Sequence, residues 1–240
     1  MKLNGTMLIA GLVFAAGVST AQADVPWSNP NGTNPILSWE NGRSDNGLFG
    51  SPTVIGDTFF FISNNNFDAD ASDGTTVTKT DTLRVRVHAQ PGRFFSQVQF
   101  ASQGDYTVFG SGSSVNVTGG MTVNDVNSVR TASDSFHTSV SPSSGSATMM
   151  PVLGNGLTPE IGSWNGSSLI DFSVFGFPPI TSLDLIFTNS IIAISLPGET
   201  ASIVTLPNTQ GSFSLSIVPA PSSALVALAG LGVLSRRRRR

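Results

Sequence analysis

The sequence predicts an all-β protein, a β-sandwich of jelly-roll-like type, and three observations carry the prediction. The first is period-two alternation. Leu83, Val85 and Val87 oppose Arg84, Arg86 and His88; Leu183, Leu185 and Phe187 run across Asp184; Phe213, Leu215 and Ile217 oppose Ser212, Ser214 and Ser216. Residues i and i+2 share a face of a strand, so each segment offers one apolar and one wettable face. The second is composition: Ser, Thr, Asn and Gly supply 97 of 240 residues and charged residues only 11%. Solvated helix faces need Glu, Lys, Arg and Ala, which are scarce here. The third is punctuation by Gly, Asn and Pro at intervals of about 8–12 residues, as at Pro91-Gly92, Gly119-Gly120 and Thr188-Asn189-Ser190. A β-helix is the rival architecture, but no repeat of fixed period is present.

The elements follow in chain order. Residues 1–23 read as a secretory signal peptide. Lys2 supplies the positive start, Met7 to Val18 is apolar or Gly throughout, and Ala21-Gln22-Ala23 offers small residues where a signal peptidase reads. Cleavage is expected between Ala23 and Asp24. Residues 24–217 form the exported domain. Strands are expected at 53–62, 75–88, 94–101, 105–109, 113–118, 120–124, 127–132, 168–175, 183–187, 190–196 and 212–217, with 139–166 a long loop or irregular sheet edge. The absence of cysteine excludes disulfides, thiolate metal sites and cysteine nucleophiles.

The tail, residues 218–240, has three parts. Val218-Pro219-Ala220-Pro221 comes first, then an apolar helix over 222–235, then the cluster Arg236, Arg237, Arg238, Arg239 and Arg240. Such a helix reaches only about 20 Å, short of the ~30 Å hydrocarbon core of a bilayer. The arginines stay on the cytoplasmic side and stop export. The pattern suits transient retention at the inner membrane; a permanent tail anchor is the alternative. A nucleic-acid role for the arginines is disfavoured by their terminal place behind an apolar helix, without interleaved aromatics. Between the two ends, six basic residues stand against fifteen acids, a balance of −9. That disfavours nucleic acid and anionic membranes as partners of the exported part.

The order of short proline motif, apolar helix and arginine cluster resembles the PEP-CTERM sorting signal of Gram-negative bacteria. Val218, Pro219 and Pro221 match its usual Val-Pro-Glu-Pro, and Ala220 stands where the Glu is usual. The resemblance implies that a membrane-embedded, exosortase-type enzyme recognises the motif and removes the tail. His88 to Asp125, with Pro91-Gly92 and Gly104-Asp105-Tyr106, is similar to the body of many such proteins. There a Pro-Gly turn precedes an alternating strand and a Gly-Asp-Tyr hairpin. This implies a secreted all-β domain and brings no catalytic residues with it.

Within Asn64 to Gly74, the oxygens of Asn66, Asp68, Asp70 and Asp73 alternate as calcium ligands can. The turn Gly and the final Glu of an EF-hand are missing, and the bland reading is a solvated polar hairpin. His88 reads as a surface residue, and Asp134, Ser135 and His137 lie close in sequence without a nucleophile elbow. Glu40, Glu160 and Glu199 show no pairing of the kind glycoside hydrolysis needs. Trp27, Trp39, Trp164 and Tyr106 are either core residues or sugar-stacking platforms. The expectation is an exported, non-enzymatic structural protein of the cell surface or exopolysaccharide matrix. A carbohydrate-binding module is the alternative and a secreted hydrolase the third reading.

Overall fold

The structure, a computed structural model, describes residues 24–62, 67–140, 159–173, 179–205 and 213–221. Its strands in chain order are β1 (Val25–Pro26), β2 (Gly32–Thr33), β3 (Leu37–Ser44), β4 (Pro52–Ile55), β5 (Thr58–Phe61), β6 (Asp68–Ser72) and β7 (Thr76–Ala89). They continue with β8 (Arg93–Phe109), β9 (Ser114–Asp125), β10 (Thr131–Val140), β11 (Glu160–Asp171), β12 (Ser182–Ile194), β13 (Thr200–Thr205) and β14 (Phe213–Pro221). All pairings are antiparallel and build two sheets of seven strands. The first runs β1-β3-β7-β12-β9-β10, with β2 beside β3. The second runs β4-β5-β14-β8-β13-β6, with β11 on the free edge of β8. The molecule is thus the all-β sandwich its alternation predicts.

The core lies between the sheets. Leu83, Val85 and Val87 of β7 and Leu183, Leu185 and Phe187 of β12 are buried in the first sheet; Val98 and Phe100 of β8 face them from the second. Phe187 meets Phe100 at 5.2 Å between ring centroids, and Trp39 meets Phe59 edge-on at 5.5 Å. Each such side chain contributes about 1.5–3 kcal/mol by leaving water, and aromatic contacts add to it.

The expected strand 53–62 is instead a hairpin of β4 and β5, turned at Gly56 with φ +63°, while several other strands are longer than local punctuation suggests. The expected strands 94–101 and 105–109 are one strand, β8, and Gly104-Asp105-Tyr106 lies inside it instead of forming a hairpin. Gly119-Gly120 lies inside β9, and Thr188-Asn189-Ser190 inside β12. Long neighbours on both edges carry the ladder through residues that would otherwise turn. Gly119 also has a packing reason: the Phe136 ring lies against it and against Gly166, and a Cβ at either would collide with the ring. Of segment 139–166, residues 141–158 lie outside the described residues, and from Glu160 the sheet-edge reading holds, as the regular strand β11. Its Ser- and Gly-rich sequence pairs residue for residue with β8 from Glu160↔Val108 to Asp171↔Gln97. In place of 127–132, Asp125–Arg130 turns and β10 starts at Thr131.

Pro91-Gly92 does turn the chain between β7 and β8. Gly92 has φ +79°, and the Arg93 N–H donates to the Gln90 carbonyl at 3.0 Å. Pro before a left-handed Gly is the type II arrangement. Among the described residues no helix is long and apolar enough to cross a membrane. The expected signal peptide, residues 1–23, and apolar helix, 222–235, lie outside the described residues.

Candidate functional site

The densest group of polar side chains sits on the outer face of the first sheet. Alternation turns Arg84, Arg86 and His88 of β7 outward, and register sets Ile186, Asp184 and Ser182 of β12 directly beside them. On the other flank β3 pairs Glu40 with Arg86 and Arg43 with Arg84. Arg86 donates to both Asp184 oxygens, from Nε at 2.6 Å and Nη2 at 2.9 Å, and its Nη1 is 3.6 Å from Glu40. Arg84 is joined to the Asp45 carboxylate through both terminal nitrogens. These hydrogen-bonded carboxylates hold both guanidinium pKa values above their ordinary value. All these groups are about a third to two-fifths exposed, so each pair contributes at most about 1 kcal/mol.

Two hollows open along this face. One, of about 310 Å³, is lined by Asn41, Arg43, Arg84, Arg86, Asn124 and Asp184 among others. The next, of about 390 Å³, is lined by Thr122, Ser133, Ser135 and Thr188. Ile186 belongs to both. Together they make a shallow groove across β7, β12, β9 and β10 whose walls are charged at one end and hydroxylated at the other. Its lining presents guanidinium, carboxylate, amide and hydroxyl groups.

Glu40, His88 and Ser182 also form a chain of contacts that sequence reading did not assemble. The Ser182 hydroxyl is 2.8 Å from His88 Nδ1, and His88 Nε2 is 3.5 Å from Glu40 Oε1. The residue types are those of a serine hydrolase. Ser182 is 7% exposed, however, and lies directly opposite His88 in the ladder. In a serine triad the hydroxyl faces Nε2 and the carboxylate Nδ1, whereas here Ser182 stands at Nδ1 and Glu40 at Nε2. The chain acts as a cross-strand tie. His137 is exposed on β10, while Asp134 turns to the other sheet and accepts the Leu169 N–H at 2.7 Å. Asp134, Ser135 and His137 therefore do not converge.

The three glutamates are dispersed. Glu40 faces Arg86 and His88, Glu160 accepts from the Tyr106 hydroxyl at 3.4 Å, and Glu199 accepts from Gly112 N–H at 3.1 Å and Ser113 Oγ at 2.9 Å. Burial first, and the Glu160 charge second, raise the Tyr106 pKa. Trp27, Trp39 and Trp164 are 3, 9 and 5% exposed, which makes all three core residues and no sugar-stacking platform. The Trp39 indole donates to the Asn29 carbonyl and that of Trp164 to Val204.

The calcium candidates are spread along the second sheet. Asp68 and Asp70 stand on β6, paired through Val204 and Ser202 of β13. Asp73 lies beyond it in a turn, where its carboxylate accepts the Gly198 N–H at 3.2 Å. Asn66 lies outside the described residues. Among the described residues no three His, Cys, Asp or Glu side chains stand together to hold a metal ion. The acids actually gathered by the fold, Asp24, Asp45 and Asp184, serve arginines.

At the two boundaries the structure adds detail. Asp24 reaches Arg43 Nε at 2.5 Å, and β1 follows at once. Val218, Pro219, Ala220 and Pro221 form the end of β14, paired with β8 from Val218↔Gln97 to Pro221↔Arg93. Ala21, Ala23 and Arg236 to Arg240 lie outside the described residues.

No family model matches the chain, and no curated protein matches it. Among solved structures, a family 61 carbohydrate-binding module in complex with β-1,4-galactotriose aligns at 10% identity over 82% of this chain and 100% of its own, with a TM-score of 0.19. The family 11 xylanase from Neocallimastix patriciarum aligns at 12% identity over 82% of this chain and 99% of its own, with a TM-score of 0.24. At these scores neither likeness bears on function.

Proposed function

We propose that this chain is an exported, non-enzymatic structural protein of the cell surface or extracellular polysaccharide matrix, released from the inner membrane by an exosortase-type enzyme that removes its C-terminal tail. The observation that supports the reading most is the order of proline motif, apolar run and arginine cluster over residues 218–240. Within that order Val218 to Pro221 are extended and paired with β8, and the apolar and arginine segments follow them in sequence. Asp24, the expected first residue of the exported chain, is tied into the fold by Arg43.

Intact mass of the protein recovered from the culture matrix tests this directly. The expected product begins at Asp24 and lacks the arginine cluster. Replacing Pro219 and Pro221 together by Ala is expected to leave a heavier, membrane-retained form. Release of that variant as efficiently as wild type rejects the sorting reading.

The groove beside Ile186 supports a second role, contact with a hydroxyl-rich polysaccharide through Arg86, Asp184, Asn124 and Thr188. Glycan pull-down is expected to weaken at least fivefold on Asn124→Ala with Asp184→Ala, and to be unchanged on Tyr106→Phe. Equal binding by the double variant rejects this groove as the contact.

A further inference from the structure

The end of β14 is built differently from its beginning. Phe213–Ser216 pair with β5 on one edge and β8 on the other. Ile217 is fully buried, and its N–H donates to the Asp57 carbonyl, on the β5 side, at 3.0 Å. From Val218 onward β8 is the sole paired neighbour among the described residues. The register also breaks there: Val218 faces Gln97, Pro219 faces Phe95, and Ser96 is passed over.

Hydrogen-bond direction sharpens the contrast. Backbone groups of successive strand residues point to opposite edges. Since Ile217 donates toward β5, the N–H groups of Val218 and Ala220 point toward β8. The nitrogens of Pro219 and Pro221 then face the other edge, where proline has no hydrogen to offer. The segment therefore has one edge with N–H donors, and β8 occupies it. An enzyme that reads an extended peptide by strand addition needs backbone donors and acceptors along one edge. The proline edge cannot supply the donors.

We infer that residues 218–221 are read only after they exchange β8 for the processing enzyme, pivoting at the register break while Phe213–Ile217 stay in the sheet. The inference rests on the sorting reading above and assigns its recognition segment a gated, strand-exchange presentation. Only Val218 and Ala220 turn their backbone groups to β8, which makes the exchange local. β8 keeps its other edge throughout: Phe95 N–H donates to the Ile180 carbonyl at 2.8 Å, and Phe172 N–H to that of Ser96 at 3.0 Å. The sandwich thus remains folded as the motif leaves it.

Two measurements on the full chain test this. In amide hydrogen exchange, Val218 and Ala220 are expected to exchange at least tenfold faster than Leu215 and Ile217; equal protection overturns the inference. Because the chain has no cysteine, a single engineered pair can be cross-linked cleanly. Phe94→Cys with Ala220→Cys, direct partners in the ladder, is expected to form a disulfide that slows tail removal at least tenfold until it is reduced. Gln99→Cys with Ser216→Cys, partners above the break, is expected to cross-link and still be processed at the wild-type rate. Processing of the oxidised 94/220 pair at the wild-type rate, its failure to cross-link, or equal arrest by the 99/216 pair each overturns the proposal. Failure of the sorting reading has its own signature, a wild-type chain that keeps its tail, and the exchange measurement decides the strand proposal even then.

Discussion

β12 and β14 are both interior strands of their sheets, yet they are held in very different ways. Every residue of β12 has a partner on β7, and all but Ser182 have one on β9. Its inward side chains from Leu183 to Ala193 are buried. Among the described residues β14 has ladder partners on both sides over Phe213–Ser216, with the Ile217 N–H reaching Asp57 just beyond. Place in the strand order therefore does not set how firmly a strand is held; the length of two-sided pairing does. The contrast matches the two tasks proposed for the chain, a durable body and an end that must be given up.

The largest expected effect is on the durable side. Phe187→Ala should cost about 3–5 kcal/mol, because its buried ring leaves a cavity against Phe100. Denaturant unfolding with an unchanged m-value measures it, and a loss below 1 kcal/mol would break the comparison. Within β14, Ser216→Pro removes an N–H from the two-sided region and should cost about 2–3 kcal/mol. Ala220→Pro removes the equivalent N–H from the one-sided end and should cost less than about 1 kcal/mol. Equal losses would mean that the two halves of β14 are held alike.

A smaller effect concerns the neighbour of β12. Asp81 of β7 is 1% exposed and accepts N–H groups from Asn46, Leu48, Phe49 and Thr82. Burial outweighs those four donors and raises its pKa. The folded state then holds the proton more tightly than the unfolded state. Asp81 therefore favours folding below the unfolded value near 3.9, and this contribution falls away as pH rises through the folded value. Asp81→Asn should flatten that downward slope. A wild-type slope that survives the substitution would assign it to another group.

Much of the architecture was legible in residues. The alternation of Leu83, Val85 and Val87 with Arg84, Arg86 and His88 named the two faces of β7 correctly, and Pro91-Gly92 named its turn. Where the reading failed, the cause was non-local. Asn189 looks like turn punctuation, yet it is fully buried in β12 with no partner for either side-chain polar atom. Its neighbours Asp81 and Gly119 in the flanking ladders hold the backbone straight through it. The Ser- and Gly-rich stretch from 160 looked like a loop or irregular edge because its own residues have weak strand preference; β8 supplies the pairing that makes it a regular strand. The outer-face cluster had the same obstacle. Glu40, His88 and Ser182 are far apart in the chain, and only the β3-β7-β12 order brings them side by side.

The sequence by itself determined the all-β class, the inward face of its central strands and the tripartite order at each end. Those properties depend on local period, charge and composition. Tertiary structure alone decided which strands are neighbours, that the tryptophans are core, and that the proline segment closes a sheet. It also decided which edge of that segment is spent on β8. Those are properties of partners, and a chain read one residue at a time does not contain its partners.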